Sequence, residues 1–191
     1  MQRIPVNQHL MLAFKGFECP EARELNRLFY CEPAGFTLFR TFNISDPAQV
    51  KQLVDTLQNE AGKAGLPPLL IGLDQEGGQL MAVGDCTQLP GNMALGATRN
   101  AQLSEKAGKV LGCELAAMGI NLDYAPCADV NINPLNPVVG VRSFGEDPSL
   151  VAELSAAMVK GIQSQGVAAT VKHFPGHGDT STDSHLQMPT I

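Results

Sequence analysis

The sequence is poor in basic residues and has no basic stripe. Lys and Arg total 13 against 19 Asp and Glu, which gives a formal net charge of −6. Binding to nucleic acid or to an anionic membrane surface depends on clustered cations. The composition therefore predicts neither kind of partner, although 44% hydrophobic residues are enough for a substantial core.

The sequence also lacks a long hydrophobic run and a leader pattern. No stretch approaches the roughly 18 apolar residues of a membrane-spanning helix, and the N-terminal run "MQRIPVNQHLMLAFKG" is interrupted, with no small-residue cleavage site after it. The five cysteines are odd in number and form no Cys-x-x-Cys pair. Reduced thiols in a cytoplasmic protein are the expectation.

What the sequence does have is an alternation of apolar and amphipathic segments. Five segments resemble strands: His9–Phe14, Gly35–Phe39, Pro68–Asp74, Ile120–Pro126 and Val167–Phe174. Helix-like segments fall between them, with Ser45 and Pro47 at one start and apolar stripes such as Leu103, Ala107, Val110, Leu111 and Leu115. This pattern is typical of an α/β fold with a parallel sheet covered by helices.

Polar residues follow the ends of these strands: Arg40, Asp74, Asp129, Lys172 and His173. Sites form at this edge in (β/α)₈ barrels and in open α/β sheets. No Gly-x-Gly-x-x-Gly or P-loop follows a strand, which argues against a nucleotide-binding fold. We expect a TIM-type barrel whose first five βα units make one incomplete domain, residues 1–191, and we expect self-association through its open edge.

The run "KHFPGHGDTSTDSH" from Lys172 to His185 holds three of the four histidines. Its proline and glycines exclude a helix, so His173 and His177 do not share a helical face. A metal loop using His173, His177, His185 and an aspartate is one interpretation. A polar loop whose histidines hydrogen-bond to the backbone is another.

A third interpretation centres on "DSH". In an extended segment Asp183 and His185 project to the same side, so the carboxylate can hold the imidazole while Ser184 faces away. His185 is then a candidate general acid/base. Lys172 and His173 can both turn toward the site at a strand end that is twisted or bulged.

Two shorter motifs have weaker signals. "LDQEGG" places Asp74 at a strand end before a glycine pair, where a ligand can approach closely. "RSFGEDP" places Arg142 before a helix that Asp147 and Pro148 begin. Alone, each is equally consistent with a solvated turn or with simple capping.

Together, "LDQEGG", "VRSFGEDP", "KHFPGHGD" and "DSH" resemble, in this order, the N-terminal barrel domain of glycoside hydrolase family 3. The chain is most similar to the bacterial β-N-acetylglucosaminidases of that family. The resemblance implies that His185 is the general acid/base with Asp183 as its partner. It also implies that Asp74, Arg142, Lys172 and His173 bind the sugar.

The implied reaction is retaining hydrolysis of a terminal β-linked N-acetylglucosamine or a related β-hexoside, through a glycosyl-enzyme intermediate and without a metal or cofactor. The implied substrates are small carbohydrates, including peptidoglycan-derived sugars in cell wall recycling. Some relatives use phosphate in place of water.

The sequence departs from this resemblance in two places. Residues 79–82 read "QLMA" where arginines are usual, which leaves a β-glucoside as an alternative substrate. The family's nucleophilic aspartate is expected beyond Ile191, so none is assigned. A metal-dependent hydrolase and an inactive sugar-binding fragment are the alternative functions.

Overall fold

The structure is a computed structural model that describes residues 6–190. It divides into two compact units. The first comprises residues 1–73, 82–86 and 114–122, and the second comprises residues 74–81, 87–113 and 123–191.

Helices and strands alternate along the described chain, as the sequence predicts. The α-helices within residues 6–190 are α1 (Ala22–Phe29), α2 (Arg40–Asn43), α3 (Pro47–Lys63), α4 (Asn92–Thr98), α5 (Ala101–Ala117) and α6 (Pro148–Gln163). The strands there are β1 (Met11–Leu12), β2 (Gly35–Thr37), β3 (Leu70–Leu73), β4 (Gln75–Gly77), β5 (Leu80–Met81), β6 (Leu122–Asp123) and β7 (Ala168–Ala169). Short 3₁₀ helices span Val6–His9 and Gly140–Arg142.

All five predicted strand segments contain a strand, but each strand is shorter than predicted. The segment predicted over Val167–Phe174, for example, is regular only at Ala168–Ala169. Helices α2 and α4 and the antiparallel β4–β5 hairpin were not predicted. The α/β class is confirmed, and closure into an eight-stranded barrel stays a prediction.

The first unit is built on parallel strands. Strand β1 pairs with β2, and β2 pairs with β3 through Gly35 and Leu70. A Cβ on Gly35 would lie 1.7 Å from the carbonyl oxygen of Leu70, so only glycine fits this approach. The amide N–H of Asn121 donates to the carbonyl of Ile71 (3.2 Å), which places the start of β6 beside β3.

Helix α3 covers the first unit's core with the predicted apolar face, Val50, Leu53, Val54 and Leu57. Its N-cap differs from the prediction. Asp46, not Ser45, accepts the hydrogen bond from the Gln49 amide (2.9 Å). Ser45 instead donates its hydroxyl to Asp46. Pro47 occupies the first turn, as expected.

The second unit carries the end of the sheet that matters for the site. The amide of Thr170 donates to the carbonyl of Asp123 (2.8 Å), and Cys127 forms a parallel bridge with Lys172. The amide of Ala128 donates to the carbonyl of Lys172 (2.7 Å). This ladder fixes the backbone at Lys172 beside the segment that leads to Asp129.

Helices α5 and α6 pack closely in the second unit, and this corrects the predicted stripe of α5. Leu103, expected in the core, is 40% exposed. Ser104 is fully buried instead, and its hydroxyl donates to the carbonyl of Leu154 (2.7 Å). Small side chains face α6 because the two backbones approach too closely for larger ones.

The described residues contain no helix that is both long enough and apolar enough to cross a membrane.

Glycines at the α5–α6 contact give a test of this packing. A Cβ on Gly161 would lie 2.2 Å from the carbonyl oxygen of Glu105. We expect Gly161→Ala to lower the free energy of unfolding by about 1–3 kcal/mol, since it overpacks a rigid contact. Gly62→Ala in α3, where nothing lies within 4 Å, is the control and should raise it by about 0.5–1 kcal/mol. Equal effects in urea denaturation would contradict the close approach.

Candidate active site

Lys172 lies between two carboxylates in the second unit. Its ammonium is 2.5 Å from Asp74 Oδ1 and 2.5 Å from Glu76 Oε1. The side chain of Lys172 is 13% exposed and that of Glu76 is 1% exposed. A charge this buried needs an opposite charge, and Glu76 supplies it. Two of the predicted sugar-binding residues, Asp74 and Lys172, are therefore in direct contact.

Arg142 reaches the same buried carboxylate from the 3₁₀ turn Gly140–Arg142. Its Nε donates to Glu76 Oε2 (2.9 Å) and its Nη2 to Glu76 Oε1 (2.7 Å), a bidentate pair. Burial alone would raise the pKa of Glu76, but the hydrogen bonds and charges of Arg142 and Lys172 outweigh it and hold the pKa below the ordinary value. Glu76 is thus an anion shared by two cations.

His173 is held by a second buried carboxylate, Asp129. The ring Nδ1 is 2.6 Å from Asp129 Oδ2, and the other ring nitrogen, Nε2, is 3.4 Å from Nη2 of Arg142. Because a guanidinium only donates, Nε2 must present its lone pair. This contact favours the tautomer in which Nδ1 of His173 donates its proton to Asp129.

Asp129 accepts further hydrogen bonds that account for its acidity. Its Oδ1 takes the backbone N–H of His177 (2.6 Å) and its Oδ2 takes the thiol of Cys127 (3.1 Å). Burial would raise the pKa of Asp129, but the donors His173, Cys127 and His177 outweigh it and lower the pKa to about 2.

Asp183 and His185 contact each other, though not in the extended geometry that the sequence analysis assumed. The chain turns here, and Asp183 Oδ1 accepts both the backbone N–H of His185 (2.8 Å) and its ring Nδ1 (2.7 Å). These hydrogen bonds lower the pKa of Asp183, the backbone one more than the ring one. The imidazole of His185 is 80% exposed.

Two further carboxylates hold the four predicted sugar-binding residues. Sequence reasoning placed Asp129 at a strand end without a role and did not single out Glu76. Glu76 contacts Lys172 and Arg142, and Asp129 contacts His173. Glu76 lies on strand β4, and not in the solvated turn that is the alternative interpretation of "LDQEGG". The alternation of Asp74 and Glu76 along an extended segment, two apart, was the available signal.

A third buried carboxylate, Asp123, lies under the same cluster. Its Oδ1 accepts the backbone N–H of Gln75 (3.0 Å), while its Oδ2 has no hydrogen-bond partner within the described chain. Burial, with smaller contributions from the charges of Asp74 and Glu76, raises the pKa of Asp123 to about 8. Asp123 is therefore mostly protonated at neutral pH.

The residues that could hold a metal differ from those that the sequence suggested. Cys127, Asp129 and His173 have ligand atoms within 4.8 Å of one another, the one such group among residues 6–190, whereas His177 and His185 are not in it. Burial and the charge of Asp129 raise the pKa of the Cys127 thiol to about 12. The three residues already satisfy one another by hydrogen bonds, which a metal would have to replace.

A cavity of about 520 Å³ opens beside this cluster in the second unit. Its lining includes Asp129, Lys172, His173, Phe174 and Asp179. Phe174 is 97% exposed and offers an apolar ring at the rim. The volume is within the range of small-molecule sites.

The sequence and the fold are matched by known proteins. Residues 21–191 match the family "Glycosyl hydrolase family 3 N terminal domain", and the chain belongs to this family. It is 38% identical over 208 residues to "Beta-hexosaminidase A" of Pseudoalteromonas piscicida, covering 97% of the chain and 34% of that protein. It is 40% identical over 152 residues to "Beta-N-acetylglucosaminidase/beta-glucosidase" of Cellulomonas fimi, covering 80% of the chain and 26% of that protein.

Among solved structures, a glycoside hydrolase family 3 β-N-acetylglucosaminidase from Paenibacillus sp. str. FPU-7 superposes with a TM-score of 0.92 at 48% identity. The match covers 98% of this chain and 35% of that one. The chain thus spans about a third or less of the length of these three relatives.

The state of Asp123 gives a prediction on pH. Its pKa is raised from 3.8 to about 8, so the folded protein keeps a proton that the unfolded chain loses. The free energy of unfolding should then fall as pH rises from about 4 to 8, by up to about 1.4 kcal/mol per pH unit. We expect Asp123→Asn, which mimics the protonated acid, to remove this dependence and to stabilise the protein at pH 8.

The measurement is urea denaturation at pH 5 and pH 8. The lowered pKa of Asp129 acts only below about pH 4 and does not overlap this window. Asp55→Asn on the exposed face of α3 is the control and should leave the pH dependence unchanged. Parallel pH curves for Asp123→Asn and the parent protein would contradict a protonated Asp123.

Proposed function

We propose that the protein is a retaining glycosidase that removes a terminal β-linked N-acetylglucosamine or a related β-hexoside. The observation that carries the proposal is the cluster in which Lys172, Asp74, Glu76 and Arg142 share charge beside the Asp129–His173 pair. The chain that carries this cluster belongs to glycosyl hydrolase family 3. Relatives carry the names β-hexosaminidase and β-N-acetylglucosaminidase.

Sugar binding is the first part of the proposed mechanism. Hydroxyl groups both donate and accept, so they suit a site that mixes ammonium, guanidinium and carboxylate groups. Asp74 is 36% exposed, and His173 is 34% exposed at its side chain, so both can meet a ligand. Glu76 and Asp129 are buried behind them and hold Lys172, Arg142 and His173 in place for that ligand.

Proton transfer is the second part. Asp183 holds Nδ1 of His185, which leaves Nε2 to protonate the leaving-group oxygen and then to deprotonate water. The exposed imidazole of His185 is open both to a substrate and to solvent. A carboxylate partner fixes the orientation of such a ring and stabilises its protonated form.

We assign the nucleophile to none of the carboxylates of the cluster and place it outside the described residues. Glu76 is neutralised by Arg142 and Lys172, Asp129 already accepts three hydrogen bonds, and Asp123 is protonated. Asp74 pairs with Lys172 as part of the sugar site. None of the four is therefore proposed to attack the anomeric carbon.

Sugar identity follows from a direct comparison of substrates. We expect the whole protein to hydrolyse an aryl N-acetyl-β-glucosaminide faster than an aryl β-glucoside. The name of the Cellulomonas fimi relative covers both activities. A stoichiometric transition metal bound through His173 and His177 in the purified protein would contradict the proposal and favour a metal-dependent hydrolase.

The acid role of His185 is tested with two leaving groups. We expect His185→Ala in the whole protein to lower kcat/KM on the order of 10²–10⁴-fold for an aryl N-acetyl-β-glucosaminide with a poor leaving group. An activated leaving group needs less protonation and should lose much less. His9→Ala is a matched control, because His9 ends the 3₁₀ helix of the first unit. Equal losses on both substrates would refute the acid role.

A further inference from the structure

His177 is the one histidine of the loop that the proposed mechanism does not use. His177 is 6% exposed, whereas the side chains of His173 and His185 are 34% and 80% exposed. A buried imidazole needs partners for both ring nitrogens. Those partners lie at Thr180 and at Ser184, which stands between the two residues of the proposed acid/base pair.

The backbone at His177 is fixed from several directions. Its N–H donates to Asp129 Oδ1 (2.6 Å), and its carbonyl accepts from Asn136 Nδ2 (2.7 Å). The next residue, Gly178, packs closely against Val130. A Cβ on Gly178 would lie 1.8 Å from the carbonyl oxygen of Val130. His177 therefore stands on a rigid base that is tied to the same Asp129 that holds His173.

The hydrogen bonds of Thr180 determine the tautomer of the His177 ring. The Thr180 hydroxyl donates its only proton to the carbonyl of His177 (3.0 Å). It can then only accept from the ring Nδ1 of His177, 2.5 Å away. The proton between the two groups is therefore on Nδ1 of His177, and we assign the lone pair of the ring to Nε2.

That lone pair faces the hydroxyl of Ser184 at 3.2 Å. Ser184 is exposed and sits inside the turn in which Asp183 Oδ1 takes both the N–H and the Nδ1 of His185. We propose that His177 is a positioning residue that tethers the loop carrying Asp183 and His185, by accepting the Ser184 hydroxyl on Nε2. This inference rests on the proposed function only for its effect on turnover.

The tether has a consequence for the reaction. An exposed loop has few packing contacts that resist a shift. A displacement of about 1 Å of the acid/base can lower the rate on the order of a hundredfold. One hydrogen bond from a buried, fixed ring to the middle residue of the turn restrains Asp183 and His185 together. Because Asp129 anchors His177 and His173, sugar binding and proton transfer share one fixed point.

The contact itself is tested by nitrogen NMR of histidine side chains in the ¹⁵N-labelled protein. The signals of His177 are assigned with the His177→Gln variant. We expect His177 to show the fixed neutral form protonated on Nδ1. Ser184→Ala should move its Nε2 signal, while Ser184→Thr, which keeps a hydroxyl, should restore it.

Ser181→Ala is the matched control, since Ser181 is an exposed serine of the same loop. It should leave the His177 signals in place. An Nε2 signal of His177 that is the same in Ser184→Ala as in the parent protein would overturn the tether, as would a ring protonated on Nε2.

The effect on turnover is tested with the two aryl leaving groups on the whole protein. Ser184→Ala should lower kcat on the order of tenfold for the poor leaving group and less for the activated one, with KM nearly unchanged, since the sugar contacts lie elsewhere. Ser184→Thr should recover most of the loss. A merely structural role would reduce both substrates equally, and that result would overturn the positioning role.

The two measurements separate this inference from the proposed function. If His185→Ala shows no dependence on the leaving group, the acid role of His185 fails. The NMR contact between Ser184 and His177 can still be present in that case, and the tether then stands without its effect on catalysis.

Discussion

The site depends on one buried anion, Glu76, held between two cations. With 1% of its side chain exposed, it has lost almost all contact with water, and Arg142 and Lys172 compensate its charge. Removing one partner of a buried ion pair typically lowers the free energy of unfolding by about 3–5 kcal/mol, because the remaining charge is left uncompensated. The positions of both cations are therefore fixed by the requirement to neutralise Glu76.

Asp129 fixes His173 and His177 in the same way that Glu76 fixes Lys172 and Arg142. It converts a flexible histidine into a defined donor by holding the Nδ1 proton of His173, and it fixes the backbone of His177. The two halves meet where His173 Nε2 approaches the guanidinium of Arg142 (3.4 Å). Local sequence places each residue near a strand end, but two carboxylates distant in the chain determine where the side chains finally point.

This division explains how much the sequence alone could predict. The strand-end positions of Asp74, Lys172 and His173 follow from local alternation, and the pairing of Asp183 with His185 follows from their spacing. The roles of Glu76 and Asp129 do not, because an acidic residue in a turn has the same local signature whether it is solvated or buried. Long-range packing makes the same difference for α5, where the approach of α6 buries Ser104 and leaves Leu103 exposed.

The charge balance of the cluster finally bears on the kind of ligand it suits. Glu76 and Asp129, whose pKa values are lowered, already place negative charge in the cluster, and an ionised Asp123 would add more in a buried place. Burial and the charges of Asp74 and Glu76 prevent this by keeping Asp123 protonated. The carboxylates of Asp74, Glu76 and Asp129 are each paired with a basic side chain. A neutral ligand with several hydroxyl groups, such as the sugar of the proposed function, can exchange hydrogen bonds with such a site without unbalancing its charges.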